Sequence, residues 1–284
     1  MKKVLVTGAT GFIGSYVIEE LLRQGFAVIA TSANENKAAA FNWFSKVDYI
    51  EFDLKSFDDR KNYFDHFQNP DILIHLAWEG LPNYTQEFHI KENLPRHKAF
   101  LDNVLRNGLH DITVTGTCLE YGMQEGCLAE HAPADPSNAY GIAKNELRKY
   151  LEDLATTRQF NLKWIRLFYM YGKGQNPKSL ISQLDKAVEN KETVFNMSGG
   201  QQVRDFLPVE KVAEYIVKIA SQQHITGVIN CCSGTPVTVK EFVEHYLEEK
   251  NAHIKLNLGY YDYVSYEPMK FWGDTTKLKA ALKD

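Results

Sequence analysis

The run Thr7-Gly8-Ala9-Thr10-Gly11-Phe12-Ile13-Gly14 constrains the fold of this chain more than any other. It follows Val4–Thr7, a short apolar stretch that reads as a strand. It leads into Phe12–Arg23, where Ile13, Val17 and Leu21 recur at helical spacing before Gly25 ends the pattern. A strand, a tight glycine turn and a helix in that order place unpaired N–H groups and the positive end of the helix dipole at one point. In this setting Gly8 permits the turn, Gly11 lets backbone approach a pyrophosphate, and Gly14 lets helix and strand pack closely. The alternative is an ordinary strand–helix turn without a ligand.

The rest of the chain supports a parallel arrangement. Ala27–Thr31, Ile72–Leu76, Ile112–Thr115 and Leu162–Leu167 read as apolar strands. Helical patterns over Gln86–Arg106 and Tyr140–Thr157 lie between them. Strands alternating with helices predict an α/β chain built on a doubly wound parallel sheet, with a Rossmann-type dinucleotide-binding domain over 1–167. Beyond it the rhythm becomes irregular and aromatic. Helices are expected at Val209–Ser221 and at Lys240–Lys250, the latter opened by the capping box Thr238-Val-Lys-Glu241. Asp262–Trp272 reads as irregular. Residues 168–284 are therefore expected to form a smaller α/β substrate lobe, partly woven back into the sheet, with a cleft at the strands' carboxyl ends.

Composition narrows the function classes. There are 32 Lys and Arg against 36 Asp and Glu, a net charge of −4, so no general nucleic-acid surface is expected. The basic cluster Lys144, Arg148 and Lys149 reads as a helix face. The apolar run behind Lys2 and Lys3 is too short for a signal peptide, and none reaches the ~18 residues of a membrane span. Cys118, Cys127, Cys231 and Cys232 form no CxxC pair and have no histidine at zinc-ligand spacing. Reduced thiols, no metal and a cytoplasmic location are expected.

Tyr140 and Lys144 share one helix face at i and i+4. A phenol of pKa ~10 is a poor proton carrier at neutral pH, and a neighbouring ammonium is expected to lower it. Such a tyrosine can protonate a carbonyl oxygen or deprotonate an alcohol. Thr117, just past the strand Ile112–Thr115, can hold the same oxygen. At the cofactor's ribose, no acid ends the second strand in Ile29-Ala30-Thr31-Ser32-Ala33-Asn34. Ser32, Asn34 and Lys37 suit a 2′-phosphate, so NADP(H) is expected, with NAD(H) possible.

Together these motifs resemble an extended short-chain dehydrogenase/reductase of the NAD-dependent epimerase/dehydratase kind. The resemblance runs through Thr7–Gly14, Asp53-Leu54, His75-Leu76-Ala77, Asn93, Thr117, Tyr121-Gly122, Tyr140/Lys144, Arg166, Tyr171-Gly172, Arg204-Asp205-Phe206, Gly227 and Asn230. It implies that Asp53 and Leu54 lie near the adenine, and that His75, Leu76, Ala77 and Trp78 line the cofactor. It implies that Asn93 supports the catalytic network and that Arg204 grips a nucleotide-sugar diphosphate. Glu79, Thr117, Cys118, Tyr169 and Lys270 are the further substrate candidates. Plainer readings stand beside these: Asp53 as a turn cap, His75 as a core histidine, Asn93 as a surface amide, Arg204 paired with a nearby acid.

The chain also departs from the family pattern. Tyr169 stands where an asparagine often precedes Tyr-Gly, and Lys173 stands where proline often follows it. Cys118-Leu119 replaces the Asp-Glu pair of the 4,6-dehydratases. Glu120 is one place further on, on the other face if that segment is extended. The resemblance therefore points to a 4-ketoreductase for a nucleotide-linked 4-keto-6-deoxy sugar, with a dTDP-linked sugar as the first candidate, acting as a homodimer through Gln86–Arg106 and Tyr140–Thr157. A nucleotide-sugar 4-epimerase and a non-catalytic cofactor sensor are the competing readings.

Overall fold

The computed structural model describes residues 1–283. Its strands are β1 (Lys3–Thr7), β2 (Ala27–Ser32), β3 (Asp48–Glu51), β4 (Ile72–His75), β5 (Asp111–Thr117), β6 (Gly126–Leu128) and β7 (Asn161–Leu167). They continue with β8 (Tyr169–Tyr171), β9 (Val194–Asn196), β10 (Val203–Pro208), β11 (Gly227–Cys231), β12 (Pro236–Thr238), β13 (Lys255–Asn257) and β14 (Phe271–Gly273). The helices are α1 (Phe12–Arg23), α2 (Glu35–Ala38), α3 (Tyr63–His66), α4 (Leu94–Arg106) and α5 (Ala139–Thr157). After them come α6 (Leu180–Glu189), α7 (Val209–Ser221), α8 (Val239–Glu249) and α9 (Thr276–Ala281).

Seven strands form the main sheet in the order β11-β7-β5-β4-β1-β2-β3, and every pairing is parallel. The chain winds outward from β1 to β3, then returns to β4 on the other side of β1. The β1/β4 junction is thus the switch point, the place where sheets of this kind bind ligands outside the carboxyl ends of their strands. Alternation along each strand feeds two cores. Val4, Val6, Ala30, Ile72 and Ile74 face α1, α7 and α9, with Val17, Ile18, Ile216 and Leu278. Leu5, Ile29 and Leu73 face α4 and α5, with Phe100, Leu101, Leu147 and Leu151. Cutting Leu73 back to Ala would cost about 3 kcal/mol, in the range for a buried leucine.

The second half builds three small sheets, β12-β10-β8, β13-β9 and β14-β6, and sends β11 back to the edge of the main sheet beside β7. Two of the expected segments differ. The stretch expected as one helix over Gln86–Arg106 becomes regular only at Leu94, after a wider turn over His89–Asn93. Pro95 explains this, because its missing N–H is tolerated only in a first turn. Within the expected irregular stretch Asp262–Trp272, Phe271 and Trp272 pair with β6. No helix among the described residues is long and apolar enough to cross a membrane.

Candidate active site

The glycine turn is shaped by contact as much as by φ. Gly8 sits at φ +73°, and a Cβ there would lie 2.8 Å from the Ala77 nitrogen. A Cβ on Gly14 would come within 2.2 Å of the Gly8 carbonyl oxygen. The Gly11 N–H donates to that same oxygen at 2.9 Å. No side chain caps α1 at Gly11, so the N–H groups of its first turn, around Phe12 and Ile13, keep no side-chain acceptor. With Thr10 they form a cradle that fits a pyrophosphate.

At the end of β2 the Ser32 hydroxyl bonds the Tyr49 hydroxyl at 2.9 Å, and Asn34 caps α2 through Lys37 N at 2.8 Å. The register sets Ser32 opposite Glu51, whose carboxylate accepts from Glu35 N at 2.7 Å. An acid of the next strand thus stands beside the end of β2. Asp53 accepts from Lys55 N at 2.9 Å and caps a short turn that begins at Leu54.

His75 does not open onto the cleft. It is fully buried, bonded to the Thr7 hydroxyl at 2.8 Å and to His97 at 2.7 Å. Burial, with the Lys144 charge behind it, drives its pKa down to about 3. The plainer reading of this residue as a core histidine therefore holds. Leu76 and Ala77 follow it to the mouth of the cradle, where Ala77 N reaches the Thr7 hydroxyl at 3.3 Å. Asn93 is buried and donates to the Glu79 carbonyl at 3.0 Å, tying down the loop after β4. The Glu79 side chain points outward and pairs with Lys55.

Asn138 caps α5 by accepting from Gly141 N at 2.9 Å, which sets Tyr140 in the first turn. Tyr140 N donates to the Tyr84 carbonyl at 2.9 Å, and the Tyr140 ring packs against Tyr84 and His89. One turn on, Lys144 is 1% exposed, and its Nζ donates to the Thr115 carbonyl at 2.8 Å. Thr117 lies buried at the end of β5, with its hydroxyl accepting from Leu119 N.

The electrostatics differ from the expectation of a lowered phenol. Burial pushes the Tyr140 pKa up, with Tyr84, Glu120 and Cys118 acting the same way. Burial also pulls Lys144 down to about 7, against the opposing pull of Glu120. The reason is geometric: Nζ is turned to the Thr115 carbonyl and lies 5.9 Å from the Tyr140 ring centroid.

Residues 118–121 are a helical turn rather than an extended segment, so strand alternation does not govern Glu120. Its carboxylate is fully buried and accepts from Trp164 Nε1 at 3.0 Å, Arg166 Nε at 2.9 Å and Thr117 N at 2.9 Å. It is therefore committed to the core.

The residues expected on the substrate side are charged and aromatic. Arg204 donates to Glu267 at 3.0 Å, and the Tyr169 hydroxyl donates to the same carboxylate oxygen at 2.6 Å. The guanidinium also lies over Phe271, 4.8 Å from the ring centroid. Cys118 and Phe271 belong to one buried cluster, with Tyr169 packed on it. Lys270 is not brought to Arg204, because it lies over Trp272, on the opposite face of an alternating segment from Phe271. Sequence reasoning missed Glu267, Tyr84 and Glu51. The first two sit in irregular segments without periodicity, and the third becomes relevant only through strand register.

The chain matches the NAD dependent epimerase/dehydratase family over residues 4–232. It is 33% identical over 272 residues to a dTDP-6-deoxy-L-talose 4-dehydrogenase (NAD(+)) from Aggregatibacter actinomycetemcomitans, covering 95% of this chain and 98% of that protein. It is 23% identical to a dTDP-4-dehydro-6-deoxyglucose reductase from Escherichia coli, covering 85% of this chain and 79% of the other. A UDP-glucuronic acid 4-epimerase from Bacillus cereus, solved with UDP-glucuronic acid and NAD, superposes with a TM-score of 0.85. That pair is 22% identical, covers 99% and 92% of the two chains, and bears on the fold. Together with the cradle and the Tyr140/Lys144 geometry, this establishes the chain as a member of the NAD dependent epimerase/dehydratase family and as an NAD(P)-dependent oxidoreductase.

Proposed function

We propose that the protein reduces the 4-keto group of a nucleotide-linked 4-keto-6-deoxy sugar, with a dTDP sugar as the first candidate. The observation that carries this reading is Tyr140 and Lys144 one turn apart on α5, with Lys144 bonded to the strand that ends in Thr117, while Glu120 is locked onto Trp164 and Arg166. Ketone reduction needs one proton donor and a held oxygen. Elimination needs a further acid and base, and Cys118 and Leu119 supply neither, since burial pushes the Cys118 thiol far up. The relative from Aggregatibacter is itself named for chemistry at C4 of a dTDP-6-deoxy sugar.

In this reading the turn Gly8–Gly14 would hold the pyrophosphate of a reduced nicotinamide cofactor, which would supply the hydride for the carbonyl carbon. Tyr140 gives its phenolic proton to the carbonyl oxygen, so the ketone gains one hydride and one proton and becomes an alcohol. The raised phenol pKa keeps that proton on Tyr140 at neutral pH. Thr117 orients the oxygen, and the Lys144 ammonium offsets negative charge left on the phenol until solvent reprotonates it. Arg204 turns from Glu267 to the diphosphate.

The preferred cofactor in this proposal is NAD(H). NADP(H) was the reading from β2 alone. The Glu51 carboxylate opposite Ser32 opposes a 2′-phosphate by like charge, and the 33%-identical relative carries NAD(+) in its name. Pairing of two copies through α4 and α5 is part of the same proposal, and light scattering on the purified chain tests it.

The decisive experiment mixes the protein with nucleotide 4-keto-6-deoxy sugars of both C5 configurations and either reduced cofactor. Stoichiometric loss of reduced nicotinamide with a 4-hydroxy product is the expected result. Redox-neutral interconversion of UDP-sugars, with cofactor co-purifying, would make it a 4-epimerase. Cofactor binding without turnover of either kind would make it a sensor.

A further inference from the structure

Trp78 is held on several sides. Its Nε1 donates to His89 Nδ1 at 3.0 Å, and His89 Nε2 meets the Asn83 carbonyl at 3.1 Å, so each ring nitrogen has a partner that suits a neutral imidazole. The indole stacks on His97, with centroids 4.4 Å apart and planes 15° from parallel. The Lys144 Nζ lies 4.1 Å from the indole centroid, much nearer than its 5.9 Å to the ring of Tyr140. Among the described residues the Thr115 carbonyl is the hydrogen-bond acceptor for that ammonium.

We propose that Trp78 is a positioning residue for Lys144, holding the side-chain nitrogen over the face of its indole ring, which favours the charged form, and aiming it at the end of β5. This rests on the reading of Lys144 as the charged partner of Tyr140. The groups around Nζ explain why an aromatic face matters here. From β4 comes His75, and from the 89–93 turn and α4 come His89 and His97, all with pKa values lowered by burial. From the turn after β5 comes Glu120, whose charge is already shared with Arg166 and Arg148. From α5 itself comes Tyr140, a protonated phenol. After the Thr115 carbonyl, the indole is then the nearest group that favours the cation at a desolvated site.

The test follows the Lys144 side chain directly. The full chain is labelled with [13Cε]lysine, and the Lys144 resonance, assigned by its loss in Lys144→Arg, is titrated by NMR. In the wild type the midpoint is expected at about 7. Trp78→Leu keeps the site apolar and removes the π face, so the midpoint should fall by about one pH unit, the scale of a desolvated cation–π contact. Trp78→Phe should fall by roughly half as much, since a smaller ring remains. An unchanged or raised midpoint in Trp78→Leu overturns the proposal. If that variant does not fold by circular dichroism, an unchanged midpoint in Trp78→Phe overturns it instead. A purely structural role would lower the melting temperature of both variants and leave the midpoint in place. The titration uses neither substrate nor turnover, so failure of the wild type on every 4-keto sugar would sink the proposed reaction without touching this result.

Discussion

The two sides of the cleft are made of different material. The proposed cofactor side works with groups that carry little or no formal charge: backbone N–H groups around Phe12 and Ile13, a lysine near its midpoint at neutral pH and, in the core, the neutral pair His75 and His97. The substrate side holds full charges in closed pairs, Arg204 with Glu267 and, behind them, Arg166 with Glu120. A backbone cradle takes its shape from glycines that are adjacent in sequence. A side-chain wall takes its shape from partners far apart in it. The first should therefore respond to pH and to added Cβ atoms, and the second to the loss of either partner of a pair.

The sharpest test of this contrast lies between the two sides. Tyr140→Phe should leave cofactor affinity intact and lower turnover at least ~100-fold, the scale for loss of a general acid. Steady-state kinetics beside a cofactor titration decide it, and near-wild-type turnover would remove Tyr140 from the chemistry. Next in size is acid sensitivity on the cofactor side. His75 stays neutral in the fold, with a pKa of about 3, and takes a proton near 6.5 when unfolded. The unfolded chain thus binds more protons between those values, and stability falls as pH drops through that window. By linkage His75 alone should cost about 2 kcal/mol by pH 5, with His97 adding in the same direction. Urea unfolding at pH 7.5 and pH 5 measures this, and His97→Gln should flatten the acid limb.

On the charged side, Arg204→Met leaves the Glu267 carboxylate, whose side chain is 13% exposed, without its cation. It should lower stability by about 1–2 kcal/mol, less than the loss for a fully buried pair. Glu267→Gln is expected to do the reverse for ligand. It frees Arg204 and should tighten nucleoside diphosphate binding several-fold, read by calorimetry. Weaker binding would instead place Glu267 in the ligand's own contact set. Smallest of all is Glu51→Ser, which should raise the NADPH-to-NADH ratio of kcat/KM by roughly three- to tenfold if the like-charge argument holds.

The same contrast explains what could be read from the residues alone. The glycine turn and helix α1 were legible because each depends on neighbours within one turn of chain. Tyr140 and Lys144 were legible for the same reason. Arg204 was singled out, but its partner was not, because Glu267 is 63 residues away in an aperiodic stretch. Strand β3, with the sequence Asp-Tyr-Ile-Glu at the sheet's edge, is half-buried and lacks the apolar run that marks β4 and β5. The strand-alternation argument about Glu120 did not hold, since a helical turn stands where an extended segment was assumed.

The position of β11 has a consequence for how the chain completes itself. Residues 227–231 close the sheet beside β7, yet the chain reaches them only after β8–β10 and α6–α7. A polypeptide ended at Leu167 would leave Lys163–Leu167 as an open edge, a template for another strand. Lys163, whose side chain bonds Asp111 and the Ala220 carbonyl, would lose the second of these partners. The sheet begun by residues 1–167 is thus unfinished until the later residues have been made. The two should melt in one cooperative step, and a protease cut between them should release no independently stable fragment.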